Sequence, residues 1–300
     1  MGKMKYTVLK SFVCMSLIAA IIAGLSSCRP MPNNGVPIYL HIDSSRVVTT
    51  RIPFGSDSAY IPDVWATTGS HNLGAYETPV DIPILASGNV PIAISAGIWD
   101  NGIVNVPAQY PFLAPDTFTI PNAIPGHVYH HKPVYNYFSY TQVAINEDFE
   151  ASNHFDSIII WNNPQNGNVF EGLSSGAIIV PAYDSSMRAQ QHTPIQVNTN
   201  GREAYIELNY KISNPQILME VGVSATTLNS GSFIGATDYS YVYLQGNGSQ
   251  WRKVYLNFNN AIGSASAQPN TYFQVYLTVY HAGGVQDTVF VDNLKLLYFH

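Results

Sequence analysis

Tyr205-Ile206-Glu207-Leu208-Asn209-Tyr210-Lys211-Ile212 alternates without interruption. Ile206, Leu208, Tyr210 and Ile212 fall on one side of an extended chain, and Glu207, Asn209 and Lys211 on the other. The stretch predicts an antiparallel strand with one face on a core and the other in water. The same period of two returns in Trp251–Phe258, in Tyr272–His281 with Phe273, Val275, Leu277 and Val279 inward, and in Val289–Phe299. Between these runs lie Asn166-Gly167, Asn200-Gly201, Asn247-Gly248 and Gly283-Gly284, pairs that accept the positive φ of tight turns. No helical period of useful length and no internal repeat is visible. From about Glu147 onward the chain reads as a β-sandwich.

The first half has shorter strands, at Ile38–Ile42, Val80–Leu85, Val90–Ile94 and Phe118–Ile120. Fourteen of the 19 prolines fall between residues 30 and 133, which excludes long helices and long central strands there. The expected fold class is all-β, with a small Pro-rich β-sandwich over 38–145 followed by a jelly-roll β-sandwich over 146–300. Residues 28–37, with three prolines and Asn33-Asn34-Gly35, read as an extended tether. Thirteen basic residues against 19 acidic ones give no electrostatic footprint for nucleic acid. Only Cys14 and Cys28 exist, so core burial rather than a disulfide has to hold the body together.

At the amino terminus, Lys3, Lys5 and Lys10 precede an apolar run from Phe12 to Leu25, too short for an ordinary membrane span, which ends in Leu25-Ser26-Ser27-Cys28. This pattern resembles the bacterial lipoprotein signal. The resemblance implies cleavage of residues 1–27 and acyl chains, palmitate among them, on Cys28. Several chains on one residue anchor stably where one does not. Loss of the three lysines leaves 10 basic residues against 19 acidic, near minus nine. Arg29 follows Cys28 where an Asp would favour retention in an inner membrane, so the expected address is the outer membrane. No acidic run follows it as a surface-export signal, which points to the periplasmic leaflet. The Ser-Ser-Cys box and the Tyr-, Asn- and Gly-rich strands resemble lipoproteins of Bacteroidota type.

Two further resemblances concern the body. Glu147-Asp148-Phe149-Glu150, Gly172-Leu173-Ser174-Ser175-Gly176, Trp251-Arg252-Lys253-Val254-Tyr255 and Phe290-Val291-Asp292-Asn293-Leu294-Lys295-Leu296 are together similar to the galactose-binding-like jelly roll of carbohydrate-binding modules. That resemblance implies glycan recognition and a structural calcium ion on Glu150, Asp292 and backbone carbonyls, oxygen donors suited to a hard cation. A pair of loop tryptophans, common in such modules, is not evident. His71-Asn72-Leu73-Gly74-Ala75-Tyr76-Glu77-Thr78-Pro79 and the strand after it resemble PEGA-like and carboxypeptidase-regulatory-like sandwiches.

Tyr239, Tyr241 and Tyr243 alternate along one strand, and Tyr276 lies opposite the aliphatic face of another. These four are the expected ligand-binding residues, since phenol rings offer a flat apolar surface with a polar handle. The same face also suits an assembly role, contacting an envelope protein of a fimbrial, gliding or secretion complex. Glu203 and Glu207 read as a solvated strand face. Gly172-Leu173-Ser174-Ser175-Gly176 has the spacing of a nucleophile elbow, but a strand rather than a helix follows it, so no catalytic residue is assigned. Replacing Cys28→Ala is expected to block acylation and release the protein from membranes. Fractionation showing the variant in the membrane pellet at the parental level would refute the anchor.

Overall fold

The computed structural model describes residues 35–49, 54–200, 203–246, 248–266, 268–281 and 283–300, the side chains at 240 and 241 excepted. Cys28, the signal segment and most of the tether lie outside the described residues. Among the described residues, no helix is long and apolar enough to cross a membrane.

The first half contributes β1 (Ile38–Ile42), β2 (Arg46–Val47), β3 (Asp63–Thr68), β4 (His71–Glu77), β5 (Val80–Ile84), β6 (Gly88–Trp99), β7 (Pro107–Gln109), β8 (Asp116–Ala123), β9 (Val128–His130) and β10 (Val134–Tyr135). Strands β5-β1-β9 form one sheet and β10-β2 a short pair. The order β4-β3-β6-β7, with β8 also on β6, forms the second layer. Ile38, Leu40 and Ile42 of β1 share one buried apolar core with Val90, Ile92, Ile94, Ala96 and Ile98 of β6. Strand alternation places every second residue there.

The second half contributes β11 (Gln142–Glu147), β12 (Ile159–Trp161), β13 (Ser175–Val180), β14 (Ser186–Gln190), β15 (Ala204–Ile212), β16 (Leu218–Asn229), β17 (Ser232–Gln245), β18 (Arg252–Asn257), helix α1 (Asn259–Ser266), β19 (Thr271–Tyr280) and β20 (Asp287–Tyr298). One sheet runs β12-β13-β20-β15-β18, with β11 also on β20; the other runs β14-β19-β16-β17. All but β1 with β9 and β2 with β10 of the paired strands are antiparallel. The architecture is all-β, two sandwiches in tandem.

Three details depart from the sequence expectation. Strand β11 starts at Gln142, and its Val143 packs on the first core while Ile145 packs on the second, so the two sandwiches share this strand's two faces. Helix α1 buries Ala261, Ile262 and Ala265 against the second core; at eight residues it is too short to show a period. The third concerns β15. Glu207, Asn209 and Lys211, expected in water, are 0%, 2% and 3% exposed. The whole strand is buried on both faces.

Its polar face is covered by the first half and by a turn. Tyr110 and Tyr137 donate their phenol protons to Glu207 Oε1 at 2.5 and 2.8 Å. Lys253 Nζ stands 3.1 Å from Glu207 Oε2 in an ion pair whose angles are not those of a hydrogen bond. Lys295 Nζ donates to Ser56 O at 2.9 Å, Ser58 Oγ to Asn209 Oδ1 at 3.3 Å, and Lys211 Nζ to Asn166 O and Gly167 O at 2.6 and 3.0 Å. Rings seal the seam. Tyr110 meets Tyr255 at 4.8 Å and Tyr205 at 5.6 Å between centroids, and Phe112 meets Phe299 at 4.6 Å.

Burial alone would raise the Glu207 pKa, but Lys253, Lys295 and the two phenols outweigh it and hold the carboxyl below its ordinary 4.5. Burial holds Lys295 down at about 8 against the pull of Glu207. Removing one partner of a buried charge cluster leaves the rest uncompensated, so Glu207→Gln is expected to destabilise by ~3 kcal/mol. The stabilisation from Glu207 is fully present above pH 4.5 and is lost as pH falls through the depressed folded-state value. Urea unfolding across pH 3–7 should therefore show a steep acid limb in the parent that is flattened in Glu207→Gln; equal curves would refute the role.

Candidate functional site

The four expected tyrosines fall on the sheet β14-β19-β16-β17. Its outward rows can be read from the register. Arg188, Thr278, Glu220 and Tyr243 share one row, and Gln190, Tyr276 and Gly222 the next. Ser224 pairs with Gln274 on one side and Asp238 on the other. Along β17 the pairing slips between Val221 and Gly222, which face Val242 and Ser240, so residue 241 is the extra residue of a β-bulge. A bulge reverses the alternation. Tyr243 points outward and is 56% exposed, whereas Tyr239 pairs with Val223 and packs half-buried on the core. The expectation that Tyr239 and Tyr243 share one face is thereby corrected. The side chain of Tyr241 lies outside the described residues.

Tyr276 is also outward but closed off. Its ring lies over Gly222, where a Cβ would collide with the phenol. The Arg188 guanidinium stacks on the ring at 3.8 Å. The phenol donates to Glu220 Oε1 at 2.8 Å and Tyr280 donates to Glu220 Oε2 at 2.7 Å. Arg188 reaches past the ring to Asp238 with two bonds, 2.8 and 3.1 Å. Gln190 donates to Gln274 at 2.9 Å. The electrostatics agree: the Arg188 hydrogen bond holds the Asp238 carboxyl down, and the bond to Glu220 pushes the Tyr280 phenol up to about 12. This face is an internally satisfied polar lattice, and Tyr276, 1% exposed, is one of its supports. Tyr243 and Tyr280, 6.4 Å apart between ring centroids, remain open at one end.

From Tyr243 a groove runs to the seam between the sandwiches. One compartment, about 540 Å³, is lined by Asn101, Ile103, Tyr243 and Gln245 among others. The next, about 460 Å³, is lined by Tyr60, Trp99, Val104 and Trp251. Gly102, Tyr210 and Arg252 line both. Trp99 ends β6, and its ring meets Tyr60 edge-on at 5.3 Å. Trp251 precedes β18, meets Phe170 at 5.3 Å, and donates its Nε1 proton to Gly167 O at 2.7 Å. The backbone locks the two halves here: Asn101 N donates to Tyr255 O at 3.0 Å, Asn257 N to Asn101 Oδ1 at 2.8 Å, and Tyr60 N to the Tyr255 phenol at 3.1 Å. A tryptophan pair is therefore present, assembled from opposite halves. Local spacing carries no signal for it, because each residue alone marks only the end of a strand.

The expected calcium ligands sit at another edge. The Glu150 carboxylate accepts the backbone N–H of Leu173 at 2.9 Å and of Ser174 at 3.2 Å. Gly172, at φ +67°, leaves it room; a Cβ there would overlap the carboxylate. Asp292, 1% exposed, accepts Ser175 Oγ–H at 2.5 Å and Asn293 N–H at 2.7 Å. Burial raises its pKa to about 7, and Glu171 and Glu150 are near enough to add to the rise. Ser174, at the centre of the elbow-like spacing, donates to Phe149 O at 2.8 Å and is buried. Among the described residues no three His, Cys, Asp or Glu side chains converge as a metal cage. The side-chain donors are nonetheless carboxylate oxygens, the kind a hard cation takes together with backbone carbonyls.

No family model matches the chain, and no curated protein matches it. Among solved structures it is similar to an arabinose-bound α-L-arabinofuranosidase, at 13% identity and TM-score 0.34, over 52% of this chain and 26% of that one. A carbohydrate-binding module of the β-sandwich superfamily, described for promiscuous specificity, aligns at 12% identity and TM-score 0.37 over 78% of this chain and 84% of its own. The family 11 carbohydrate-binding module of Clostridium thermocellum, in complex with a mixed-linked tetrasaccharide, aligns at 11% identity and TM-score 0.36 over 53% and 96%. The fold assignment itself rests on the strand pairings described above.

Proposed function

We propose that the protein is a non-catalytic glycan-binding lipoprotein of the outer membrane, anchored through Cys28, whose ligand lies in the groove between the two sandwiches. The observation that carries the reading is the convergence of Trp99, Trp251, Tyr60 and Tyr210 from both halves on one cavity of about 460 Å³. A sugar ring has apolar C–H faces and a polar rim. Flat aromatic rings take the first, and planar polar groups such as Asn101, Gln245 and Arg252 take the second. Concave sites of this volume, mostly apolar with few polar groups, are the usual seats of small ligands. The seam hydrogen bonds hold the walls before any ligand arrives, which lowers the ordering cost of binding. Tyr243 belongs to this reading as the far end of the groove. Tyr239 and Tyr276 support the sheet behind it.

Trp99→Ala and Trp251→Ala are each expected to weaken binding by ~2 kcal/mol with the circular-dichroism spectrum unchanged. Affinity electrophoresis against a panel of neutral and acidic polysaccharides checks this; a double variant retarded like the parent would refute the site. Calcium enters the same proposal as a structural ion on Glu150 and Asp292. A ligand of the folded state raises stability by mass action, so EDTA should lower the Tm and added calcium restore it. An unchanged Tm with no calcium by elemental analysis would remove the ion.

A further inference from the structure

The first sandwich has an apolar, uncharged end where the chain enters it. Pro37 leads into β1 opposite Leu85, one step beyond the pair Ile38 and Ile84. Gly126 N donates to Pro37 O at 2.8 Å, and Val36 Cγ1 lies 3.8 Å from where a Gly126 Cβ would stand. Gly88, the first residue of β6, pairs with Ala123, which brings Ile124 to the same end. Val36, Leu85 and Ile124 are all exposed. Beside them Val128, Tyr39 and Pro83 form one row across β9-β1-β5, with Val128 exposed as well. The next outward row, His130, His41 and Asp81, is polar, and His41 Nδ1 stands 2.7 Å from the Asp81 carboxylate. Segments 35–40, 64–76, 82–99 and 117–131 contain no Asp, Glu, Lys or Arg. The opposite end of β6 carries Trp99 in the groove wall, with Asp63 and Asp100 close by in register and sequence.

Resting on the lipoprotein reading of Cys28, we propose that this end lies against the bilayer that holds the anchor. Val36, Leu85, Ile124 and Val128 sit at headgroup level, and the groove faces away from the membrane. The length of the connection carries the proposal. Seven residues, Cys28 to Asn34, separate the acylated residue from Gly35, a reach of at most about 25 Å. The 12 residues of β6 cover about 40 Å from this end to the groove. The tether is thus shorter than the sandwich and keeps its entry end nearest the lipid. Aliphatic side chains gain by leaving water at the headgroup and acyl boundary. A carboxylate there would lose hydration, a cost that these segments avoid. An exposed apolar patch with a polar margin is the form such contact surfaces take.

Cys14, in the signal segment, and Cys28 are the only cysteines of the sequence, so one introduced thiol takes a single NBD fluorophore. Leu85→Cys and Ile124→Cys probe the docked end, and Tyr183→Cys, in the second sandwich, is the control; all three replace exposed side chains. The acylated proteins, purified from membranes, are reconstituted in phosphatidylcholine vesicles with and without a doxyl-labelled lipid. NBD at 85 and 124 should emit to the blue of its position in water and be quenched by the doxyl lipid, whereas NBD at 183 should show neither effect. Adding Val36→Ser, Leu85→Ser and Val128→Ser to Ile124→Cys should abolish the quenching while the protein still floats with the vesicles. Flotation with water-like emission at 85 and 124 would overturn the docking and leave the anchor standing. Quenching at 183 equal to that at 124 would overturn the orientation. Blue-shifted emission at 124 that the doxyl lipid does not quench would mean that protein covers this end, and would overturn the lipid assignment. If the parent protein does not float, the lipoprotein reading falls and this proposal with it.

Discussion

The tandem arrangement depends on a carboxylate buried where two sandwiches meet. Glu207 has no exposure, and a lone carboxylate in such a place would be costly enough to neutralise itself. It stays charged because two phenols from the first half and two lysines from the second surround it. Such a cluster gives little net stability compared with packed hydrophobic groups. It gives register, since Tyr110 and Tyr137 meet the same oxygen only in one placement of the first sandwich on β15. The rings of Tyr205, Tyr255, Phe112 and Phe299 then supply the apolar burial that a polar seam lacks.

The groove is a consequence of that placement. Its walls include Trp99, Asn101, Gly102, Ile103 and Val104 of one sandwich and Tyr210, Trp251 and Arg252 of the other. The bond from Asn101 N to Tyr255 O and the bond from Asn257 N to Asn101 Oδ1 pin the loop after β6 directly beside β18. Under the proposed function, occupancy of the groove and the stability of the seam are thus coupled. A ligand that touches both walls binds only the docked state, and stabilises it by its own affinity.

The architecture was legible because period-two alternation, Gly-containing turns and clustered prolines are local signals. Strands β15, β18, β19 and β20 fall where the alternation places them. What sits outside a strand was not legible. Glu207-x-Asn209-x-Lys211 looks the same whether water or a second domain covers it, since alternation reports two unlike faces and not their surroundings. Trp99 and Trp251 belong to different sandwiches, so no window of sequence contains both. Eight residues of α1 fall below the length at which a period shows.

The bulge at residue 241 shows the same limit at one position. In Tyr239-Ser240-Tyr241-Val242-Tyr243 the alternation is unbroken on paper, yet Val242 faces Val221 and Tyr239 faces Val223, both core residues. Two inward residues three apart can coexist on one strand only if an extra residue lies between them. The driving term is burial of Val242 and Tyr239 on the second core, which is worth more than regular pairing at one site. The outward space that Tyr239 gives up is crossed instead by the long Arg188 side chain reaching Asp238 over Tyr276. By closing the middle of the sheet in this way, the bulge leaves Tyr243, which lines the groove, and its neighbour Tyr280 open to solvent.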